Sequence, residues 1–363
     1  MRRFVLAGVV GLLFVSAVLL SPESGDLAAQ GPSTPLGTSA RPAGTNITGA
    51  AFRFNKVKEG IYHAIGTGAM AVVGNSTILV NERDVTVIDD HVSPAAAWML
   101  VEELKTITTK PVTTVVNTHF HFDHAHGNQI FGPEVQIIGH EFTRRALLDN
   151  PTAQPLYQSF YAPKVFEGQI ENMKKRLSEE KDPAVRAKLQ TQLTSTEQNY
   201  ASQKELRPTP PNVTLTTQMT LHRGDREIQI RFLGRGHTAG DVVVYLPKER
   251  VVITGDFLTS GTSNMSDSYP LEWAAALDEL KKLDFDTVVP GHGEAYTDKG
   301  RIDTYQAYLR DVWTTVSALK KQGVSAEEAA KRADLSKYKP SYPNPAVPVL
   351  ATQRIYALID GAR

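Results

Sequence analysis

The chain has 363 residues, 41% of them hydrophobic, enough for one large domain or two small ones around a substantial core. Lys plus Arg equals Asp plus Glu at 39 each, so the formal net charge is zero and nothing in the balance offers a basic surface to nucleic acid. There is no cysteine, which excludes disulfides and thiolate metal ligands; a zinc site would have to be built from His, Asp and Glu.

Arg2 and Arg3 precede an uncharged apolar run from Phe4 to Leu20, the charge order of a secretory signal peptide. The run is at the short end for a membrane span, and no clean small-x-small cleavage site lies near Ala28 and Ala29. Residues 1–22 are therefore expected to be a signal peptide or an uncleaved N-terminal anchor in the inner membrane, which would place the protein in the periplasm or outside the cell. Residues 23–50, rich in Ser, Pro, Gly, Thr and Ala, read as a flexible linker. One domain is expected over 51–363.

Within that domain, short apolar runs separated by turn residues predict strands at Ile61–Ile65, Ala69–Val73, Thr77–Val80 and Val85–Ile88, with Glu82, Arg83 and Asp84 turning between the last two. Ser93 and Pro94 have the types expected at a helix cap and first turn, before Trp98, Val101 and Leu104 on one face. Strands are predicted again at Pro111–Val116 and Val135–Ile138, and a helix at His140–Leu148. Residues 151–211 change character: Ile170, Met173 and Leu177 share one helical face, Val185, Leu189 and Leu193 another, and Asp182-Pro183 lies between as cap and first residue. This reads as an inserted αα-hairpin, placed to wall a substrate cleft with Tyr157, Phe160 and Tyr161 as contact surface, or simply packed onto the sandwich through those aromatics, or joining two copies in a homodimer. Strand signals return at Val213–Leu215, Ile228–Leu233, Val242–Leu246, Val251–Thr254 and Thr287–Val289. Helices are predicted from Pro270, over 298–322 and over 346–360.

The segment after the Pro111–Val116 strand places His119, His121, Asp123 and His124 within six residues. Imidazole and carboxylate are zinc ligands. In an extended segment, side chains two apart point the same way, so His119 and His121 can reach one ion. Asp123 and His124, where the chain turns towards Gly127, can reach a second. His63, His91, His126, His140 and His222 show no such pattern and are expected to be structural or exposed.

His119-Phe120-His121-Phe122-Asp123-His124 resembles the HxHxDH signature of the metallo-β-lactamase superfamily. The resemblance continues in chain order through Gly236-His237-Thr238-Ala239-Gly240-Asp241, Thr254-Gly255-Asp256 and Pro290-Gly291-His292-Gly293, with Asp89 matching an early aspartate. It implies a four-layer αββα sandwich of the α/β class, with two zinc ions per chain at one edge of the sheets. It assigns His119, His121 and His237 to one ion, Asp123, His124 and His292 to the other, and Asp256 to both. Asp89 and Asp241 would orient ligand histidines or their loops.

Such a centre would make a shared hydroxide available to attack the carbonyl of a small-molecule ester, thioester, lactone or amide, with Asp123 as the catalytic proton acceptor. Within the family, the missing cysteine excludes the β-lactamase subclasses with a Cys ligand and leaves the all-histidine subclass. Asp256 favours the thioesterase and lactonase side. Quorum-signal lactonases carry a tyrosine three residues after that aspartate, where this chain has Thr259. Two further alternatives are a mono-iron persulfide dioxygenase and a metal-binding protein without turnover; the complete ligand set weighs against both.

Overall fold

The computed structural model describes residues 40–362. The expected signal peptide or anchor at 1–22, and the first part of the expected linker, lie outside them. The end of that linker is tied down. Arg41 Nε donates to Thr45 Oγ1 at 2.7 Å, and the Ala43 amide donates to the Glu205 carboxylate at 2.9 Å. Order therefore begins before Ala51. Among the described residues no helix is long and apolar enough to cross a membrane.

Two sheets form the centre. The first has seven strands in sequence order: β1 Phe52–Lys58, β2 Ile61–Gly66, β3 Ser76–Val80, β4 Val85–Ile88, β5 Val112–Val116, β6 Gln136–His140 and β7 Val213–Leu215. Its first four are antiparallel and β4 to β7 are parallel. The second has five: β8 Gln218–Arg223, β9 Arg226–Phe232, β10 Val242–Leu246, β11 Val251–Gly255 and β12 Thr287–Pro290, in the order β12-β11-β10-β9-β8. Only β11 and β12 in it are parallel.

The helices are α1 Pro94–Leu104, α2 Phe122–Ala125, α3 Glu141–Leu148, α4 Pro155–Tyr161, α5 Pro163–Glu179 and α6 Pro183–Lys204, then α7 Pro270–Lys281, α8 Gly300–Lys321, α9 Ala326–Arg332 and α10 Val349–Ile359. Local chemistry sets several of their starts. Ser93 Oγ accepts the Ala96 amide at 3.2 Å with Pro94 at the first position of α1. The Asp182 carboxylate accepts the Ala184 and Val185 amides at the start of α6.

Alternation along the strands divides the interior into three layers of packing. Ile88, Val116 and Ile138 of the first sheet meet Ile230, Val244 and Ile253 of the second. On the outer face of the first sheet, Val87 and Val115 pack under Leu100 and Leu104 of α1. On the outer face of the second, Val243, Tyr245 and Val252 pack under Trp273 and Leu277 of α7 and Tyr305 and Tyr308 of α8. A strand covered on both sides needs apolar residues at every position, which is why β10 reads Val-Val-Val-Tyr-Leu. This is the four-layer αββα sandwich expected.

Some expectations need correction. Ala69–Val73 is a loop, not a strand: glycines at 66, 68 and 74 bound it, and Val73 is solvent-facing and unpaired. β1 and β8 were not foreseen, because they are edge strands with polar sequences such as Gln-Met-Thr-Leu-His-Arg. The hairpin exists as α5 and α6, but it is preceded by the separate helix α4, set off by Ala162 and Pro163. On α6 Leu189 and Leu193 are buried, whereas Val185 is exposed.

Candidate metal centre

Parallel strands β4 and β5 of the first sheet and β11 and β12 of the second end at one common edge. Chain ends of parallel strands are where open α/β sheets place their sites. β4 runs into Asp89, β5 into Asn117-Thr118-His119, β11 into Asp256 and β12 into Gly291-His292. The loop between β9 and β10 brings His237. After His121 the chain winds into the short α2, which carries Asp123 and His124.

The structure brings all seven expected ligands together, in overlapping trios: His119, His121 and His237; His119, His124 and Asp256; and Asp123, His124 and His292. Within each trio the ligand atoms lie within 4.8 Å of one another. His237 Nε2 is 2.9 Å from His121 Nδ1, and 3.6 Å from Asp256 Oδ2. His292 Nε2 is 3.1 Å from Asp123 Oδ2 and 3.4 Å from Asp256 Oδ2. His124 Nε2 is 3.4 Å from both Asp123 Oδ2 and Asp256 Oδ1. Two nitrogens bonded to one tetrahedral zinc at about 2.0–2.1 Å stand about 3.3 Å apart, so these spacings suit donor atoms converging on ions.

Unpartnered atoms test the fit to a metal. His119 Nε2, His124 Nε2 and Asp256 Oδ1 are buried and have no hydrogen-bond partner, an arrangement that is costly unless another group binds them. His237 Nδ1 is also unpartnered, on the side of the ring away from the trio. All donors are nitrogen or carboxylate oxygen, the set zinc accepts when thiolates are absent. The residues fit a metal centre.

Neighbouring groups set which nitrogen each ring presents. His124 Nδ1 donates to Asp89 Oδ2 at 2.8 Å, leaving Nε2 for the centre. Asp89 also accepts the Thr118 amide at 2.7 Å and hydroxyl at 2.8 Å, and its backbone is left-handed, at φ 61°. A non-glycine residue held there is strained, and here the strain coincides with the carboxylate that fixes a ligand histidine. Asp241 accepts both the amide and the hydroxyl of Thr238, closing the turn behind His237. Paired amides of Asn117 and Asn128 clamp the loop that carries the HxHxDH segment. His121 Nε2 bonds Asp267 Oδ2 at 3.1 Å.

The electrostatics follow from burial and from charge pairing. Burial, then neighbouring imidazoles, hold His119 well below the usual histidine range and His237 down to about 3. His292 goes the other way: burial opposes its charge, but Asp256 and Asp123 raise it to about 10. His124 is raised for the same reason, against burial, by Asp123, Asp256 and Asp89. Burial would raise Asp123 and Asp256, but the facing imidazoles lower both. Burial lifts Asp241 to about 7, only partly offset by Thr238. Two carboxylates against two cationic rings make a metal-free site whose protons a dication would displace.

The centre opens into a cleft of about 410 Å³. Asp123, Asp256, His121 and His292 form its floor. Val73, Phe122, Leu156, Phe160 and Tyr161 form one wall, and Thr259 with residues 261–264 the other. Tyr157 is not in it: its hydroxyl donates to Gln203 Oε1 at 3.0 Å and its ring packs into the core.

The remaining histidines lie outside the trios. His91 is buried and bonds the Gly74 carbonyl and Ser76 Oγ; His63 bonds the Pro290 carbonyl at 3.2 Å. His140 caps α3 by accepting the Phe142 amide, and His222 is exposed on β8. His126 is buried beside Phe122 and Tyr157, with neither ring nitrogen hydrogen-bonded. Asp267 and Leu156 were missed by the sequence reading. Neither carries a local signal: Asp267 sits in a polar loop, Leu156 in the first turn of a helix not foreseen.

Comparison with known proteins agrees with this geometry. Residues 70–292 match the family model described as the metallo-beta-lactamase superfamily. The chain is 25% identical over 238 residues to a linear primary-alkylsulfatase of a Pseudomonas species, covering 62% of this chain and 42% of that protein. It is 31% identical over 86 residues to a type 2 metallo-beta-lactamase of Bacillus cereus, covering 22% of this chain and 34% of that protein. The matches thus span less than half the length of these curated relatives. Among solved structures, that of VMB-1 superposes with a TM-score of 0.51 at 16% identity, covering 73% of this chain and 99% of that one. The DIM-1 metallo-beta-lactamase exposed to ceftazidime gives 0.50 at 18%, with the same coverages. These likenesses concern the fold.

Proposed function

We propose that this chain, which belongs to the metallo-beta-lactamase superfamily, is a hydrolase with two zinc ions that cleaves a carbonyl compound: an ester, thioester, lactone or amide. The observation that carries the reading is the convergence of seven buried or half-buried donor groups in one place, with Asp256 Oδ2 3.6 Å from His237 Nε2 and 3.4 Å from His292 Nε2, one nitrogen from each of the other two trios. His119, His121 and His237 would hold one ion, Asp123, His124 and His292 the other, with Asp256 reaching both. When bound, the ions supply Lewis acidity for the carbonyl oxygen and lower the pKa of water towards neutrality.

The chain's own residues do the rest. Asp123 faces the cleft, and its carboxylate, held ionised by His124 and His292, is placed to take a proton from the attacking water. As the water oxygen bonds to the carbonyl carbon, the bond from that carbon to the leaving heteroatom breaks. The heteroatom keeps the electron pair and receives the proton from Asp123. One water is consumed, and a carboxylic acid forms together with an alcohol, thiol or amine, as two products from an open-chain substrate or as one ring-opened molecule from a lactone or lactam. Asp89, Asp241 and Asp267 keep three ligand histidines or their loops oriented.

The test is a panel of chromogenic esters, thioesters, lactones and β-lactams on zinc-loaded protein, with metal analysis alongside. Alkyl sulfates belong in it, since one relative is an alkylsulfatase. About two zinc ions per chain and reversible loss of hydrolysis on chelation are expected. About one iron with no zinc would instead favour the oxygenase reading. We further propose export directed by Arg2, Arg3 and the apolar run to Leu20. Residues 1–50 fused to a reporter active only outside the cytoplasm should give signal, and silence despite expression would refute it.

A further inference from the structure

We infer that the cleft selects a substrate with an uncharged, apolar body lodged against α4, and disfavours one whose body carries a second anionic group. The inference rests on the hydrolytic reading only for the reaction itself; the binding preference can be measured without turnover.

Three observations carry it. First, Val73, Phe122, Leu156, Phe160 and Tyr161 give the cleft an apolar and aromatic wall, in which the rings of Phe122, Phe160 and Tyr161 pack on one another. Phe160 is 55% and Val73 45% exposed, although both are large apolar residues. An aromatic and an aliphatic side chain left facing solvent at a cleft mouth mark a surface that gains by being covered. Second, no Lys or Arg lines this cleft; the charged groups that line it, Asp123, Asp256 and His292, all belong to the floor. A carboxylate or sulfate placed away from the floor would meet no cation and would lose its water against an apolar wall. Third, the wall is mounted rigidly. Tyr157 ties α4 to Gln203, Gln203 Nε2 donates to the Val92 carbonyl at 2.9 Å, and the Ala95 amide donates to Ser202 Oγ at 3.1 Å. These bonds link α4 through α6 to α1 and the first sheet, so the apolar surface is formed before any ligand arrives.

Tyr161 adds a polar element to this wall. It lines the cleft and carries a phenol hydroxyl. A phenol is protonated at neutral pH and can donate. It offers one O–H to an acceptor on the substrate, which suits an ester or lactone oxygen better than a hydrocarbon alone. Thr259, on the opposite wall, has its hydroxyl engaged by the Gly261 carbonyl at 3.0 Å.

The experiment uses unreactive alkyl hydroxamic acids with the metal-loaded, full-length protein, and reads dissociation constants by calorimetry. From two to eight carbons, affinity should rise about two- to fourfold per added methylene until the chain leaves the wall. An eight-carbon probe ending in carboxylate or sulfate should bind at least tenfold more weakly than its methyl-ended counterpart. Phe160→Ala should flatten the chain-length dependence; the side chain is largely exposed, so the variant should fold. Phe160→Arg should reverse the order and favour the anion-ended probe. Affinity independent of chain length, including failure of every probe to bind, or tighter binding of the anion-ended probe by the unaltered protein, would overturn the inference. Graded binding together with no hydrolysis of any carbonyl substrate would instead defeat the proposed reaction and leave the binding preference standing.

Discussion

Asp267 accepts a hydrogen bond from His121 Nε2 at 3.1 Å, and the opposite nitrogen of the same ring, Nδ1, lies 2.9 Å from His237 Nε2. An ionised carboxylate can only accept, so the ring proton belongs on Nε2 and the Nδ1 lone pair faces the centre. Asp267 thereby chooses which atom of His121 becomes a ligand. Asp267→Ala is expected to weaken metal binding by about 10- to 100-fold without unfolding the chain. Asp267→Asn, whose carbonyl oxygen can still accept, should lose less. Competition with a chelator, with circular dichroism as the folding control, measures both. Unchanged affinity in the alanine variant would remove Asp267 from this role.

Asp123 combines two tasks that can be separated. Its Oδ2 lies 3.1 Å from His292 Nε2 and 3.4 Å from His124 Nε2, and it lines the cleft floor. Asp123→Asn keeps size and one donor oxygen but cannot take up a proton at neutral pH. Turnover should fall roughly a hundredfold or more, the scale of a lost general base. The rate has to be read at verified metal content, because a fall that merely tracks lost metal would assign Asp123 a ligand role alone.

Gly291 lies against the trio of His119, His124 and Asp256. A Cβ there would stand 2.5 Å from Asp256 Oδ1 and 2.9 Å from His124 Cε1. Gly291→Ala should therefore push apart two ligand groups and weaken metal binding by more than tenfold, an effect beyond the modest stability change of an ordinary exposed Gly→Ala. Metal content after dialysis gives the answer, and a variant that retains full metal would mean that the loop yields freely.

His63 predicts an acid response. Burial pushes its imidazole down to about 4, against a hydrogen bond to the Pro290 carbonyl that pulls upwards. Unfolded, the ring titrates near 6.5. Between those values the unfolded chain binds a proton that the folded chain refuses, so stability falls as pH drops from about 6.5 to about 4. One residue shifted this far contributes at most about 3 kcal/mol. His63→Gln, which can still donate to Pro290, should be less acid-sensitive. Urea midpoints of both metal-free proteins at pH 7.5 and 4.5 make the comparison, and parallel losses would exclude His63 as a source.

The sequence by itself determined the chemistry of the centre and the class of the fold. His119, His121, Asp123 and His124 are legible because they crowd one strand end, where an alternating backbone aims side chains at a common point. β10 and β11 are legible because strands covered on both faces must be apolar throughout. Tertiary structure decided what has no local signature. β1 and β8 are edge strands whose exposed faces carry polar residues, so no apolar run announces them. The Ala69–Val73 run reads as a strand but finds no partner, and its Val73 faces the cleft instead. Tyr157, Phe160 and Tyr161 look alike in sequence; the fold ties the Tyr157 hydroxyl to Gln203 away from the cleft, leaves Phe160 exposed at the cleft, and makes Tyr161 both a core residue and part of the cleft lining. Asp267 stands 146 positions from His121 in the chain, so no spacing rule could connect them. Ligand type is a property of side chains and can be read in line, whereas the partner that orients a ligand is chosen by the folding of distant segments onto one sheet edge.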